Sequence, residues 1–187
     1  MKVAVKLLFV SLLVISTGCS ATIPIGAYIP QNHVRLSGEI AVGDFSYQPF
    51  LDQKVQKANQ FQNTAAGEIY AGLEIAELVK RGTALELEKT NVLLNENSYY
   101  QLNGNVLEFK LDDLGYSIDW TYKIKYSIVE QKTGAVVFEN TYEPPAKTSG
   151  KFNAAADYEQ HVNMMIGQGY EMFIKDLEVR QFLNYKE

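Results

Sequence analysis

The sequence predicts an α+β fold, a two-layer sandwich in which helices cover one face of a mainly antiparallel sheet. The first observation is a strict alternation of apolar and polar side chains over residues 116–128, which is typical of a half-buried strand. The second is an apolar stripe at helical spacing in residues 153–183, which is typical of a helix lying on a sheet. A chain that runs strand, helix, meander, helix segregates its helices on one side of the sheet.

The amino-terminal residues have the layout of a secretory signal. Lys2 and Lys6 precede an apolar run over residues 7–15, and small residues follow as far as Cys19. The run is far shorter than the roughly 20 apolar residues that a membrane-spanning helix needs. We therefore expect residues 1–18 to be a signal peptide that is removed from the mature protein.

Residues 16–19, Ser-Thr-Gly-Cys, resemble the lipobox of bacterial lipoproteins, although Ser16 stands where that family usually has Leu. The resemblance implies that the thiol of Cys19 carries diacylglycerol, with palmitate-type acyl chains, and that the new amino group is acylated. Cys19 is the sole cysteine, so a lipid-attachment atom fits it better than a disulfide partner. An ordinary signal peptide with a chance cysteine is the alternative.

The anchor and the net charge together define the expected compartment. Two or more acyl chains hold a protein stably at a membrane. Among such lipoproteins an Asp after the cysteine favours the inner membrane, so Ser20 implies the outer membrane and a domain facing the periplasm. Without Lys2 and Lys6 the 17 basic residues become 15 against 22 acidic ones, a net charge of −7. No basic stripe is present, which argues against nucleic acid as a partner.

The 169 residues that follow residue 18 are enough for one domain, expected over residues 34–187. Residues 19–33 are expected to be the lipidated cysteine and a tether, because prolines and glycine interrupt any period there. The first strand is predicted over residues 34–47. The polar residues 51–63 are predicted to be a loop or the start of a helix.

The first helix is predicted over residues 64–81, with Thr64 as its cap and Gly82 as its stop. Residues 83–94 fit two structures. Their alternating Leu and Glu residues favour a strand, but the helix could also continue through Gly82.

Residues 99–111, 116–128 and 135–142 are predicted to form a three-stranded meander, because turn residues separate the three segments. The final helix is predicted over residues 153–183, with the apolar stripe Tyr158, Val162, Met165, Gly169, Phe173 and Leu177. Gly167 and Gly169 each cost about 1 kcal/mol relative to Ala inside a helix. We therefore expect them to permit close packing on the sheet, or to mark a kink.

No catalytic, metal-binding or cofactor-binding pattern is evident in the sequence. His33 lies in the tether and His161 on the last helix, whereas zinc sites usually need three or four ligands. No nucleophile-elbow motif accompanies His161. Asp112 and Asp113 are explained by the turn that they begin. We expect no enzyme activity, no metal and no cofactor.

The candidate interaction surface lies on the strand over residues 116–128. Its aromatic side carries Tyr116, Trp120, Tyr122 and Tyr126. Most of these rings are expected to pack beneath the helices, but some could form a groove or an interface, where Tyr and Trp are enriched. On the polar side, Lys123 and Lys125 are expected to be solvated or to form a docking surface.

Short segments add a second resemblance. Residues 37–45 resemble the opening strand of several periplasmic assembly lipoproteins, "V-x-x-F", and residues 99–106 are similar to their "A-D-Y-x-L-x-G-x-V" strand. The helix end at residues 79–82 and the meander-plus-helix tail look like the YajG-type uncharacterised lipoproteins. Auxiliary lipoproteins of envelope lipid transporters share the layout. These likenesses imply a fold and a compartment, not a specific partner.

The sequence thus predicts a non-catalytic outer-membrane lipoprotein that acts as an adaptor or accessory subunit for an envelope protein complex. The alternative is a periplasmic module that binds lipid or glycan, with the aromatic side chains of the sheet as its pocket. A concave apolar cavity under the sheet would favour the ligand. A filled core with an exposed edge strand would favour a protein partner.

Overall fold

The structure is a computed structural model that describes residues 20–23, 28–63, 68–113, 115–150 and 155–183. Its elements in chain order are β1 (Ser20–Ile23), β2 (Glu39–Tyr47), α1 (Gln48–Leu51), β3 (Gln62–Asn63), β4 (Glu68–Ala71), α2 (Ile75–Lys89), β5 (Leu93–Leu94), β6 (Tyr100–Asp112), β7 (Ser117–Glu130), β8 (Val136–Tyr142), β9 (Lys147–Gly150), α3 (Ala155–Lys175) and α4 (Leu177–Leu183). Among these helices none combines the length and the apolar character that crossing a membrane requires.

The main sheet is built around β6 and β7, its two longest strands. β7 pairs antiparallel with β6 on one side, and with β8 and β9 along two stretches of its other side. β2 and β3 pair in parallel with β6, and β5 pairs in parallel with β2. A separate small sheet joins β1 and β4 in parallel. The fold is α+β with a mixed, mostly antiparallel sheet and helices packed on it, so the predicted fold class is confirmed.

The alternation in β7 produces the expected division between a buried and a polar face. Its apolar set is buried beneath α3, while α2 packs on the neighbouring strands β2 and β6. The set consists of Ile118, Trp120, Tyr122, Ile124, Tyr126 and Ile128. Phe173 of α3 packs on Tyr126 with ring centroids 4.7 Å apart. The opposite face of the same strand carries Ser, Asp, Thr and Lys side chains that are half-buried or exposed. One apolar face thus forms the core of the domain.

Close packing explains the two glycines of α3. A Cβ atom at Gly169 would lie 2.7 Å from the ring of Tyr122, and one at Gly167 would lie 3.2 Å from the hydroxyl of Tyr28. α3 runs through both glycines without interruption. Of the two expected explanations, close packing is therefore supported by these contacts.

The helix predicted over residues 64–81 is wrong in position. Residues 68–71 form β4, and α2 begins only at Ile75 and continues to Lys89. The helix continues through Gly82, so this glycine is not a helix stop. It permits close packing instead, since a Cβ atom there would lie 2.9 Å from Ile166 and 3.2 Å from Tyr28. The strand favoured over residues 83–94 is also wrong, since only Leu93–Leu94 is a strand.

Two elements at the carboxyl side differ from expectation. β9 lies outside every strand predicted from the sequence, because it lacks apolar alternation. It pairs with the start of β7, and Thr148 donates to Asp119 (2.6 Å). The long final helix divides at Asp176, whose carboxylate accepts the N–H of Glu178 (3.1 Å) and starts α4. Leu177 is consequently 74% exposed and does not belong to the apolar stripe.

The tether predicted over residues 19–33 is wrong for its described part, which packs against the domain. We name residues 28–32 the strap. The hydroxyl of Tyr28 donates to Oε1 of Glu86 (2.7 Å), and the N–H groups of Gln31 and Asn32 donate to the same carboxylate (2.9 and 3.1 Å). Glu86 is fully buried, so these three donors satisfy a group that would otherwise be costly to remove from water. The domain thus begins well before residue 34.

Candidate functional site

Of the four aromatic residues of the candidate interaction surface, three are buried and one is exposed. Trp120, Tyr122 and Tyr126 are each fully buried, and burial raises the pKa of both tyrosines. They fill the core beneath the helices and cannot line an open groove. Tyr116 is 86% exposed, because it precedes β7 in the β6–β7 turn and does not lie on the buried face of the strand.

The two predicted lysines lie on the polar face of the sheet, each beside a carboxylate of the neighbouring chain segment. Nζ of Lys123 is 2.5 Å from Glu143, and Nζ of Lys125 is 3.0 Å from Glu139. The hydrogen bond to Glu143 raises the pKa of Lys123. Exposed pairs of this kind are worth only about 0–1 kcal/mol. These lysines are therefore paired charges on a wet face.

The remaining predicted site residues are at the amino terminus. Cys19 lies outside the described residues. Ser20 is the first residue of β1 and pairs with Glu68 of β4.

The histidines and carboxylates of the described residues do not converge on a reactive centre. Within the described ranges no group of three or more His, Cys, Asp or Glu residues is placed to hold a metal ion. Nδ1 of His161 is 2.7 Å from the carbonyl oxygen of Asp157, and its ring stacks on Trp120 with centroids 5.4 Å apart. This arrangement fits a packing role for His161.

A groove of about 790 Å³ lies at the end of the sheet where β2 and β6 begin. We name it the distal groove, because it lies at the opposite end of β6 from the β6–β7 turn. Its lining residues are Gly38, Glu39, Leu93, Ser98, Tyr99, Tyr100 and Phe182. The 13 residues of β6, at about 3.4 Å each, separate it from the turn by roughly 40 Å.

The distal groove exposes apolar and aromatic surface that the core does not use. Leu93 is 62% exposed and Tyr99 is 53% exposed. Tyr99 packs edge-on against Tyr100, with ring centroids 4.8 Å apart, and Tyr100 packs in the same way on Phe182 at 5.2 Å. The rings therefore support one another and present a rigid surface at low entropic cost.

Local backbone geometry brings these residues together from distant parts of the chain. Gly38 has a φ of 153°, and a Cβ atom there would lie 2.0 Å from the carbonyl oxygen of Leu183. Only glycine therefore lets the end of α4 lie against the start of β2. The N–H of Leu93 donates to the carbonyl oxygen of Gly38 (2.9 Å), which fixes β5 beside the same point.

Acidic side chains border the distal groove. The hydroxyl of Tyr99 donates to Glu130; this hydrogen bond raises the pKa of Tyr99 and lowers that of Glu130. Nδ2 of Asn95 lies 3.3 Å from each carboxylate oxygen of Glu39. The groove thus combines an apolar floor with carboxylates at its border.

An unpaired sheet edge adjoins the same end of the domain. Within the described residues no strand pairs with the outer side of β8. Val136 and Val137 at its start are 57% and 41% exposed, and Phe138 reaches Phe182 with ring centroids 6.4 Å apart. Exposed edges of this kind can accept a strand from another chain.

Sequence reasoning missed the distal groove. Leu93 lies in residues 83–94, whose Leu and Glu pattern favours the wrong structure, and the sequence predicts no neighbour for the helix end that carries Phe182. The pair Tyr99-Tyr100 at the start of a strand could have indicated this surface. Adjacent strand residues point to opposite faces of the sheet, so a helix layer on one face buries only one of the two rings.

Comparison with known proteins gives a likeness of fold. No protein-family profile and no curated protein sequence matches the chain. A crystal structure from Xanthomonas campestris, a protein of family DUF330, is similar with a TM-score of 0.58 at 14% identity, over 81% of this chain and 94% of that one. This likeness supports the α+β fold.

Two weaker matches follow. A hypothetical protein from Chlamydia trachomatis has a TM-score of 0.49 at 7% identity, over 79% of this chain and 98% of that one. A lipoprotein candidate from Caulobacter crescentus has a TM-score of 0.45 at 15% identity, over 67% of this chain and 92% of that one. Proteins described as lipoproteins thus occur among the structures similar to this chain.

Proposed function

We propose that this chain is a bacterial outer-membrane lipoprotein, anchored through acylated Cys19, whose domain is a non-catalytic adaptor for another envelope protein. The observation that carries the proposal is the distal groove, with Leu93 and Tyr99 exposed above packed aromatic rings. Aromatic side chains held rigidly at a surface are typical of the centres of protein interfaces.

The anchor is inferred from the lipobox-like residues 16–19 and from the absence of any other cysteine in the chain. Ser20, in place of the Asp that favours inner-membrane retention, supports the outer membrane. Cell fractionation tests this placement. Recovery of the protein with the inner membrane would contradict it.

The filled core favours a protein partner over a small ligand. The alternative function required the aromatic side chains of the sheet to form a pocket, but Trp120, Tyr122 and Tyr126 are fully buried in the core. The exposed aromatic surface lies instead at an open groove beside the unpaired edge of β8. An open groove next to an exposed edge suits an extended or helical protein segment.

Site-specific photocrosslinking in cells tests the adaptor function. A photoreactive residue replaces Tyr99 in the groove, and a matched control replaces Thr121 on the polar face of the sheet. We expect one envelope protein to be crosslinked from position 99 and not from position 121. Equal crosslinking from both positions, or none from position 99, would contradict the proposal.

A charge placed in the groove provides the second arm of this test. Leu93→Asp puts a carboxylate on the apolar floor, where Glu39 already adds negative charge, so the crosslinked product should fall by about tenfold or more, equivalent to about 1.4 kcal/mol. Leu177→Asp is the control, because Leu177 is somewhat more exposed than Leu93 and does not line the groove. The control should crosslink like the unmodified protein.

A further inference from the structure

The path of β1 shows at which end of the domain Ser20 lies. Ser20 pairs with Glu68, and β1 runs parallel to β4. β4 runs antiparallel to the segment before β3, since Gln60 bridges Tyr70 and the N–H of Phe61 donates to the carbonyl oxygen of Ile69 (2.9 Å).

β3 connects this small sheet to the main one. Gln62 pairs with Lys110 in parallel, so β3 runs towards the β6–β7 turn and β1 runs away from it. The chain therefore enters the domain at the turn end. Cys19 directly precedes Ser20 in the sequence, so the proposed anchor is attached at this end of the domain.

The β6–β7 hairpin projects beyond the level of Ser20. The antiparallel register of Gln60 with Tyr70 sets Glu68 opposite Gln62. Because Glu68 pairs with Ser20 and Gln62 pairs with Lys110, Ser20 lies near the level of Lys110. β6 and β7 stay paired as far as Asp112 and Asp119. Two residues of strand at about 3.4 Å each, plus the turn, place the tip roughly 10 Å beyond Ser20, on the side where β1 begins. The tip carries Tyr116, 86% exposed.

We propose that the β6–β7 hairpin tip is a second membrane contact, in which the ring of Tyr116 enters the headgroup region of the bilayer that holds the Cys19 acyl chains. This inference rests on the lipid anchor of the proposed function. The occupant is a lipid surface because the acylated cysteine brings that surface to this end of the domain. Tyrosine suits the position, since its ring favours the membrane interface while its hydroxyl stays among polar headgroups.

The contact gives the lipoprotein a fixed orientation. An acyl anchor alone lets a domain rotate about one point, whereas the anchor and the hairpin tip together define an axis. With the tip at the bilayer, the distal groove faces away from the membrane at the other end of β6. The surface proposed to bind the partner is thereby held clear of the lipid.

A nitroxide label tests the contact in the intact lipoprotein. Tyr116→Cys provides the labelling site, and Cys19 does not compete because its thiol is acylated. The labelled protein is reconstituted in vesicles of phosphatidylethanolamine and phosphatidylglycerol. Val137→Cys, at the opposite end of the sheet and 41% exposed, is the matched control.

We expect vesicles to reduce collisions of the position-116 label with a water-soluble nickel chelate several-fold and to increase collisions with oxygen. The position-137 label should not change. If the protein floats with the vesicles and the position-116 label remains fully accessible to the chelate, the hairpin contact is wrong and the anchor stands. If the protein does not float with the vesicles, both the anchor and the contact are wrong.

Discussion

The carboxylate of Glu86 accepts the hydrogen bonds that attach the strap to α2. It is fully buried and accepts one hydroxyl and two backbone N–H groups from the strap. Burial and the nearby Glu86 carboxylate both raise the pKa of Tyr28, so Tyr28 remains a donor at neutral pH. One side chain of α2 thus accepts three hydrogen bonds from the strap, and Nδ2 of Asn32 also donates to the carbonyl oxygen of Gly167 in α3 (3.0 Å).

Glu86→Ala should destabilise the domain by about 3 kcal/mol, because two backbone donors lose their acceptor at about 1–3 kcal/mol each. The measurement is the free energy of unfolding in urea, together with hydrogen exchange at Gln31 and Asn32, which should accelerate. Glu88→Ala, an exposed residue of the same helix, is the control and should change little. Unchanged exchange at Gln31 and Asn32 would show that Glu86 does not hold the strap.

Two core tyrosines should respond in opposite directions to loss of their hydroxyl groups. The Tyr126 hydroxyl lies 2.8 Å from Oγ1 of Thr83, whereas the buried Tyr122 hydroxyl has no hydrogen-bond partner among the described residues. Tyr126→Phe should cost about 1 kcal/mol, and Tyr122→Phe should leave stability unchanged or increase it. Thermal unfolding of the two variants provides the comparison. If Tyr122→Phe lost more stability than Tyr126→Phe, the Tyr122 hydroxyl would have a hydrogen-bond partner, contrary to this prediction.

At the scale of elements, the sequence predicts those strands and helices whose pattern depends only on residues close together in the chain. The meander over residues 99–142 was predicted because side-chain alternation and turn residues act within a few positions. The boundaries of α2 were not, because Gly82 was interpreted as a helix stop. Its role is set by Ile166, more than 80 residues away, and by Tyr28, neither of which a local pattern includes.

Gly169→Ala should destabilise the protein, although Ala is the better helix former by about 1 kcal/mol. The added methyl group would lie 2.7 Å from the ring of buried Tyr122, and overpacking of this kind costs typically about 1–3 kcal/mol. Gly167→Ala is the comparison and should cost less, because its nearest atoms belong to side-chain ends of Tyr28 and Gln31. Urea unfolding measures both. A gain in stability for Gly169→Ala would show that α3 is not in close contact with the sheet.

At the scale of the whole molecule, the buried tyrosines tie stability to pH. Burial raises the pKa of Tyr122, Tyr126 and Tyr170 in the folded state, while in the unfolded chain each has a pKa near 10. A raised folded pKa means that the stabilisation is complete below about pH 10 and is lost as the pH rises above it.

The free energy of unfolding should therefore decrease steeply between about pH 10 and pH 12, with tyrosinate absorbance appearing together with unfolding. Urea titrations at pH 8 and pH 11 measure the change. Tyr126→Phe should reduce the slope, since it removes one of the ionising groups. Tyrosinate absorbance from all tyrosines before any unfolding would contradict the burial of these rings.

The candidate site shows how far sequence reasoning reaches at this scale. The buried face of β7 was correctly divided from its polar face, but the exposed aromatic surface is elsewhere. The distal groove is assembled from residues 38–39, 93–100 and 182, and its existence depends on the close approach of Gly38 and Leu183. Such a juxtaposition follows from tertiary packing and has no local signature.

The most direct test of the central proposal, a lipid-anchored adaptor, is the intact mass of the mature protein purified from membranes. The proposal predicts a polypeptide that begins at Cys19 and carries the added mass of a diacylglyceryl group on sulfur and one acyl group on nitrogen. A chain that begins elsewhere, or one with an unmodified Cys19 thiol, would contradict it.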